Sequence, residues 1–200
     1  MDFELIRAVN DCFQPFYPYA AAEIHAEYGR DAGDVLEIGP YGPGVALALA
    51  ERCPGMRLTC GDDSDHLNDY LAETIAEAGM AARIRVEPLD KYNLPFEAAS
   101  FDLVVFRGGL FFWDEQESIV TEMDRVLRPG GIGAHGGGFG AGASDELIES
   151  LLPEARDLNN RLGKKRLSRA DVRQIAENAG LASWRIAAEH GLWLFWEKAG

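Results

Sequence analysis

The stretch that decides the fold is residues 34–50, DVLEIGPYGPGVALALA. A short apolar run, residues 34–38, leads into a loop with glycines at positions 39, 42 and 44, and an alanine- and leucine-rich segment follows. A buried strand, a glycine-rich turn and a helix in this order are typical of a parallel α/β sheet. Glycines let the backbone approach a ligand closely, and the start of the helix offers free N–H groups. Many nucleotide-binding folds use such a loop, so taken alone it is a weak signal.

The same alternation of apolar runs and amphipathic stretches continues outward from this loop. Further strands are predicted at residues 56–61, 83–87, 101–106 and 132–135. Residues 183–197 predict two more strands that meet in a tight turn at His190-Gly191, and without a helix between them these two must pair antiparallel. The pattern therefore predicts a parallel sheet with helices on its faces.

Helix boundaries can be predicted from capping and stop signals. Asp114 with Glu117, and Ser168 with Asp171, have the spacing of a capping box at a helix start. The sequence RPGG at residues 128–131 is expected to stop the preceding helix, since proline and glycine interrupt it. A further short helix is expected near residues 145–152.

Composition and charge limit the class of partner. A chain of 200 residues suits one compact domain with its own core. The formal net charge is −14, from 33 acidic and 19 basic residues, and such a field repels nucleic acid and anionic membranes. We interpret the one basic cluster, RLGKKRLSR at residues 161–169, as a solvated loop and helix start in preference to a partner site.

Cysteine usage and the termini give the expected compartment. The three cysteines, Cys12, Cys53 and Cys60, form neither a disulfide framework nor a zinc knuckle, and we expect no metal set between them and His25, His66 or His190. The first residues lack the pattern of a signal peptide, and no apolar run reaches about 18 residues, so no membrane span is expected. We therefore expect a cytoplasmic protein without a metal.

Two acidic segments follow the second and third strands. Asp62 lies just past the second strand, where a carboxylate can accept both hydroxyls of a ribose, and the adjacent Asp63 disfavours a 2′-phosphate. The alternative for Asp62, and equally for Asp63 or Ser64, is the N-cap of the next helix. In the segment LDKYNLPF, residues 89–96, a carboxylate can accept a hydrogen bond from the exocyclic amine of adenine.

Four motifs in order carry a family resemblance: EIGPYGPG at 37–44, GDDS at 61–64, LDKYNLPFEAASFDLVVF at 89–106 and EMDRVLRPGG at 122–131. Over residues 34–138 the chain resembles the class I S-adenosylmethionine-dependent methyltransferases, and most of all their small-molecule branch, which includes ubiquinone and menaquinone biosynthesis enzymes. The resemblance implies an α/β, Rossmann-like three-layer sandwich, with a mostly parallel seven-stranded sheet and an antiparallel last strand. It also implies a single domain over 1–200, with an N-terminal helical lid at 1–32 and the core at 33–200.

The resemblance assigns roles by position. It implies that Glu37 and the backbone of Gly39 hold the methionine end of the cofactor, and that Asp62 binds the ribose hydroxyls. The other implied cofactor contacts are Tyr41, Gly42 and Gly44 in the glycine loop, Asp63 and Asp90 at the adenine, Lys91 through its backbone, and Arg107 next to the reacting methyl. The loop is one residue longer than the family's usual E-x-G-x-G-x-G, which leaves the contacts of Tyr41 and Gly42 open.

Candidate catalytic residues follow the fourth and fifth strands. His135 is the only histidine expected at the carboxyl end of a strand, where it would be a general base or, alternatively, a structural histidine bonded to a backbone carbonyl. Arg107 would orient an anionic substrate or form an ion pair with Glu37. Expected substrate contacts, with core packing as the alternative for each, are Tyr17, Tyr19, Phe111, Phe112 and Trp113.

Three functions compete at this point. The first is transfer of a methyl group from S-adenosylmethionine to an unidentified small molecule, yielding S-adenosylhomocysteine, by a monomer or homodimer. The second is a protein that binds either form of the cofactor without methyl transfer, because no obvious catalytic pair is present and the glycine loop is altered. The third, a nicotinamide oxidoreductase, is disfavoured by the NLPF and LRPGG segments and by the off-pattern glycines.

Overall fold

A computed structural model describes residues 2–200, which form one sheet covered by helices on both faces. The helices are α1 (Phe3–Phe13), α2 (Tyr17–Tyr28), α3 (Gly44–Arg52), α4 (Asp65–Glu77), α5 (Gly109–Phe112), α6 (Gln116–Val126), α7 (Asp145–Arg161) and α8 (Arg169–Asn178). The strands are β1 (Ala32–Ile38), β2 (Gly55–Gly61), β3 (Ile84–Val86), β4 (Phe101–Arg107), β5 (Leu127–Gly138), β6 (Ser183–Ala187) and β7 (Gly191–Glu197).

The sheet has the order β3-β2-β1-β4-β5-β7-β6. All neighbouring strands are parallel except β7, which runs antiparallel to both β5 and β6. This confirms the predicted seven-stranded sheet with an antiparallel last strand. Chain order reverses between β1 and β4, and in such sheets ligands bind at the carboxyl ends of the strands on either side of the reversal.

Burial on both faces explains why the central strands are nearly continuous apolar runs. In β4 every residue is buried except Asp102, as expected of a parallel strand with helices above and below it. One core cluster joins the sheet to α1, α2, α3 and α7, and a second joins its other face to α6 and α8. The predicted three-layer arrangement is therefore confirmed.

Two boundary predictions fail and one is confirmed. Glu115 precedes α6 in the left-handed conformation without a side-chain cap, and the Asp114 carboxylate instead pairs with Lys165, so the capping box predicted there is wrong. The box formed by Ser168 and Asp171 is present at the start of α8. Helix α7 does not end near residue 152 but continues through Pro153 to Arg161.

The stop predicted at residues 128–131 falls inside β5, because α6 passes directly into that strand at Leu127.

Within residues 2–200, no helix combines the length and the apolarity that crossing a bilayer requires.

Helix α1 lies over the glycine loop. The Asn10 side-chain amide donates hydrogen bonds to the carbonyls of Pro40 (3.2 Å) and Gly42 (3.4 Å), and its oxygen accepts one from the Tyr17 hydroxyl (2.9 Å). At the start of α1, the Phe3 ring packs against His66 of α4, with 4.1 Å between ring centroids. The N-terminal segment is thus tied to two elements at the carboxyl edge of the sheet.

Candidate functional site

Glu37, the penultimate residue of β1, anchors the glycine loop from below. Its side chain is buried, and Oε2 accepts a hydrogen bond from the backbone N–H of Ala46 in the first turn of α3 (2.8 Å). Oε1 is also buried and has no hydrogen-bond partner among the described residues. Burial raises the pKa of Glu37 to about 7, although the Ala46 N–H and the positive charge of Arg107 oppose the shift. One carboxylate oxygen therefore holds the loop while the other is left for a ligand.

The glycines of this loop serve different contacts. Gly39 has φ +98°, and a Cβ there would lie 2.3 Å from the Phe106 ring, so only glycine fits. A Cβ on Gly44 would lie 2.4 Å from the Tyr17 ring, which means that this close approach is to α2, not to open ligand space. At Gly42 the nearest atom would be at an ordinary 3.4 Å from a Cβ, so nothing in the protein itself demands glycine there.

Asp62 follows β2 and is held rigidly from both sides. Its backbone N–H donates to Asn68 Oδ1 (2.9 Å), the Asn68 amide donates back to its carbonyl (3.0 Å), and Ser64 N–H donates to its Oδ1 (3.1 Å). Oδ2 is buried without a partner among the described residues. Burial, together with the charge of Asp63, raises the pKa of Asp62 to about 6. The carboxylate thus closes the turn with one oxygen and presents the other as an unused acceptor, which fits a ribose hydroxyl.

Lys91 and Asp63 form a pair beside Asp62. The Lys91 side chain is buried, its ammonium contacts the Asp63 carboxylate, and it lies 5.2 Å from the centroid of the Trp113 ring. Burial alone would raise the pKa of Asp63, but the Lys91 ammonium outweighs this and lowers it. The resemblance gave Lys91 only a backbone contact; in the structure its side chain neutralises Asp63.

Asp90, by contrast, is exposed. Its Oδ1 accepts a hydrogen bond from the Tyr92 backbone N–H (2.9 Å), which closes the turn after β3.

Arg107, the last residue of β4, is a buried cation that forms no ion pair within residues 2–200. Its side chain is 5% exposed, and the guanidinium lies 4.6 Å from the ring centroid of Phe13 and 4.9 Å from that of Tyr17. Among the described residues no carboxylate lies within 4 Å of it, so the ion pair with Glu37 that the sequence left open is not formed. An arginine stays charged even when buried, and cation–π contacts of about 0.5–2 kcal/mol each offset only part of the cost.

His135 lies opposite Phe106, near the carboxyl end of β4, but its side chain is enclosed by protein. It is fully buried, its Nε2 lies 2.6 Å from Gln116 Oε1, and burial lowers its pKa to about 4. It does not line the cavity described next. These contacts, with the Gln116 side chain and the Phe106 backbone, favour the structural alternative for His135.

A cavity of about 980 Å³ opens above the carboxyl ends of β4 and β5, between α7 and the β6–β7 turn. Its aromatic wall comprises Phe13, Tyr41, Phe111, Phe112 and Phe139. This volume is in the range of sites for small ligands.

Of the predicted substrate contacts, Phe111 and Phe112 line the cavity, whereas Tyr17, Tyr19 and Trp113 do not. The Tyr17 ring instead supports Arg107, and the Trp113 ring packs against Phe106 with 5.2 Å between centroids.

The basic cluster lies in a loop at the mouth of the cavity. Lys164, Lys165 and Arg166 line the cavity, and Arg156 of α7 joins them. Residues 162–168 form a loop with Lys164 and Arg166 exposed, and a helix begins at Arg169, as the solvated loop and helix start predicted; part of this loop also faces the cavity. The cause is the length of α7: it continues beyond Pro153 and delivers the segment that follows it to the cavity mouth, which no local motif signals.

A second cluster forms at the opposite, amino-terminal edge of the sheet. Potential ligand atoms of His25, Asp31 and Cys53 all lie within 4.8 Å of one another, which the expectation of no metal set did not foresee. His25 Nε2 contacts Asp31 at 2.7 Å, and Arg52 donates to Nδ1 at 3.3 Å. Both ring nitrogens are thus engaged, and the histidine has no free lone pair for a metal in this arrangement.

Comparison with known proteins points to one family. The family model described as "Methyltransferase domain" matches residues 36–134. The ubiquinone/menaquinone biosynthesis C-methyltransferase of Geotalea daltonii is 29% identical over 100 residues, or 50% of this chain and 43% of that one. The phosphatidylethanolamine N-methyltransferase of Cereibacter sphaeroides is 32% identical over 111 residues, covering 56% and 51%. The chain thus spans about half the length, or less, of these curated relatives.

A solved structure resembles the whole chain. It is a Methanococcus maripaludis protein whose assignment as an S-adenosylmethionine-dependent methyltransferase is provisional, with a TM-score of 0.84 and 28% identity over 100% of this chain and 94% of that one. The buried, unused oxygens of Glu37 and Asp62 suit the cofactor that this family binds. The matched model and these relatives support a class I S-adenosylmethionine-dependent methyltransferase that resembles the ubiquinone/menaquinone branch.

Proposed function

We propose that this protein transfers a methyl group from S-adenosylmethionine to a small molecule. The observation that carries the proposal is a pair of buried carboxylate oxygens, Glu37 Oε1 and Asp62 Oδ2, without partners at the carboxyl ends of β1 and β2. Buried polar atoms without partners are rare, and a ligand rich in hydroxyl and amino groups accounts for both. When bound, the cofactor supplies a methyl group on a sulfonium that is already activated for displacement.

The residues divide this work by position. Asp62 would accept the ribose hydroxyls, while Glu37 and the loop from Gly39 to Gly44 would hold the methionine end. The Asp63–Lys91 pair and the turn at Asp90 would flank the adenine. The acceptor would occupy the adjoining cavity, where the protein has mainly to align it and exclude water.

The N-terminal segment, residues 1–32, would be the lid of a single domain whose core is 33–200. Helix α1 supports this role, because Asn10 binds the carbonyls of Pro40 and Gly42 across the glycine loop. Three unpaired cysteines favour a reducing, cytoplasmic setting, and we keep the monomer or homodimer as the expected assembly.

A second candidate, cofactor binding without methyl transfer, is favoured by one observation. His135 is buried away from the cavity, and Arg107 cannot serve as a base because it does not lose its proton. A base is needed only for a nucleophile that is protonated at working pH, so methyl transfer remains the leading proposal.

Two measurements test the proposal in sequence. Calorimetry should show tight binding of S-adenosylhomocysteine and none of a nicotinamide dinucleotide; preference for the dinucleotide would reject the cofactor. Incubation with methyl-labelled S-adenosylmethionine and a metabolite extract should then yield a labelled small product. Tight cofactor binding with no labelled product from any extract would reject methyl transfer and favour cofactor binding without transfer.

A further inference from the structure

The cavity reverses the charge balance of the molecule. The chain as a whole has 33 acidic and 19 basic residues, yet the charged residues that line the cavity are mainly basic. Its basic residues are Arg107, Arg156, Lys164, Lys165 and Arg166, against the acidic Asp145 and Glu189. A positive site on a negative protein concentrates anions where the rest of the surface repels them.

Four of these five cations, Arg107, Arg156, Lys164 and Arg166, form no ion pair within residues 2–200. Neither Arg107 nor Lys164 has a carboxylate within 4 Å among the described residues, whereas Lys165 is paired with Asp114. The Lys164 ammonium lies 4.3 Å from the centroid of the Phe111 ring. Lys164 is exposed at the mouth of the cavity, where partial desolvation and the positive charge of Arg107 lower its pKa. Repulsion between two cations that share a cavity is relieved if an anion binds there.

We propose that the methyl acceptor carries an anionic group, a carboxylate or a phosphate, on an apolar or aromatic body. Arg107 and Lys164 bind the anionic group, and the rings of Phe111 and Phe139 pack against the body. This inference rests on the proposed function, because it assigns the acceptor of that same site. Arg107 is suited to this role because its guanidinium is already buried and contacts two rings. A guanidinium can form paired hydrogen bonds to the oxygens of a carboxylate or phosphate.

The test measures binding, not turnover. The full chain, saturated with S-adenosylhomocysteine, is titrated by calorimetry with benzoate, phenyl phosphate and the neutral benzamide. We expect the better of the two anions to bind roughly tenfold or more tightly than benzamide, since hydrogen bonds to charged groups are the strong ones. The anion that binds better shows whether the anionic group of the acceptor is a carboxylate or a phosphate.

Matched variants locate the site. Lys164→Met keeps the length of the side chain and should weaken binding of the preferred anion by roughly tenfold without changing benzamide binding. Arg161→Met is the control, because Arg161 is a nearby exposed cation that pairs with Asp157 and does not line the cavity. Equal affinity for benzoate, phenyl phosphate and benzamide, binding of none of them, or an unchanged anion affinity in Lys164→Met would overturn the proposal.

Arg107→Met tests whether Arg107 binds the anionic group of the acceptor or the carboxylate of the cofactor. We expect the affinity for the anionic probe to fall by a larger factor than the affinity for S-adenosylhomocysteine. The reverse result would overturn the role given to Arg107. A labelled product from a neutral acceptor, in a protein that binds neither anion, would reject this inference and leave the proposed function standing. Anion binding without any methyl transfer would reject the proposed function and, with it, the assignment of the anion as the acceptor.

Discussion

At the scale of single residues, the site is built from carboxylates that are costly to keep charged. Glu37 is enclosed below the glycine loop with one oxygen unsatisfied, and its pKa of about 7 lies well above the ordinary 4.5. A carboxyl whose folded-state pKa is raised favours folding below its unfolded-state pKa, and that contribution is lost as the pH rises through the folded value. The cofactor-free protein therefore loses stability at this residue between about pH 4.5 and pH 7.

Glu37→Gln should consequently stabilise the cofactor-free protein at alkaline pH. The amide keeps an acceptor for the Ala46 N–H but carries no charge, so we expect the free energy of unfolding to rise by about 1–3 kcal/mol at pH 8 and much less at pH 5. Urea unfolding at both values measures this, with the exposed Glu51→Gln on α3 as control. A gain of the same size at both pH values would contradict the assignment of the shift to this carboxyl.

Asp62→Asn tests the other unused oxygen. We expect the affinity for S-adenosylhomocysteine to fall by about 10- to 100-fold, because a charged acceptor of hydrogen bonds is replaced by a neutral amide. Calorimetry at pH 8 measures the loss, and Asp69→Asn, an exposed acid on the following helix, is the matched control. Since the pKa of Asp62 is about 6, the wild-type affinity should also fall as the pH drops below that value.

At the scale of elements, α1 is joined to the glycine loop mainly through one side chain. Asn10 is buried and bonds to the loop carbonyls of Pro40 and Gly42 and to the Tyr17 hydroxyl, so it links α1, the loop and α2. A terminal helix that is not part of the hydrogen-bonded sheet opens more readily than the central strands, although α1 also packs Val9 and Phe13 into the core. This is the physical content of calling the segment a lid.

Asn10→Ala should therefore loosen α1 more than it unfolds the protein. We expect faster hydrogen exchange in residues 3–13 and a loss of about 1–2 kcal/mol in overall stability from the broken hydrogen bonds. Exchange measured by mass spectrometry compares this segment with β4, and Asp11→Ala, an exposed neighbour on the same helix, controls for helix propensity. Exchange that accelerates equally in β4 and α1 would show that Asn10 supports the whole fold and not a lid.

At the scale of the whole molecule, a negative protein surrounds a positive cavity. Self-repulsion at a net charge of −14 opposes the compact state, and salt screens it over roughly 10 Å or less at and above about 0.1 M. Salt should also screen the attraction of the cavity for an anion. The same change of solvent therefore acts in opposite directions on stability and on binding.

Raising NaCl from about 0.05 to about 0.5 M should increase the melting temperature of the cofactor-free protein and weaken its binding of the better anionic probe. Thermal unfolding and calorimetry in the same buffers measure the two effects. Benzamide binding is the control, and it should barely change. A melting temperature that falls with salt would mean that paired surface charges outweigh the net repulsion.

The sequence by itself determined the family, the cofactor class, the sheet and the order in which the carboxylates appear. These depend on residues that are close together along the chain: Glu37 stands one residue before the end of a strand, and Asp62 directly after one, so their positions at the ligand edge follow from strand boundaries. The family resemblance over residues 34–138 also depends on motifs that are short and local in the chain. The individual contacts of Asp90, Lys91 and the glycines with the cofactor stay predictions.

Only the tertiary structure decided what surrounds the acceptor. It freed Arg107 from the ion pair with Glu37, buried His135 against Gln116, and brought Lys164 to the cavity. Each outcome depends on segments far apart in the chain, and the length of α7 beyond Pro153 decides where the basic cluster lies. Periodicity and spacing in the sequence carry no information about contacts between distant segments, because burial and the pairing of charges are properties of the packed molecule.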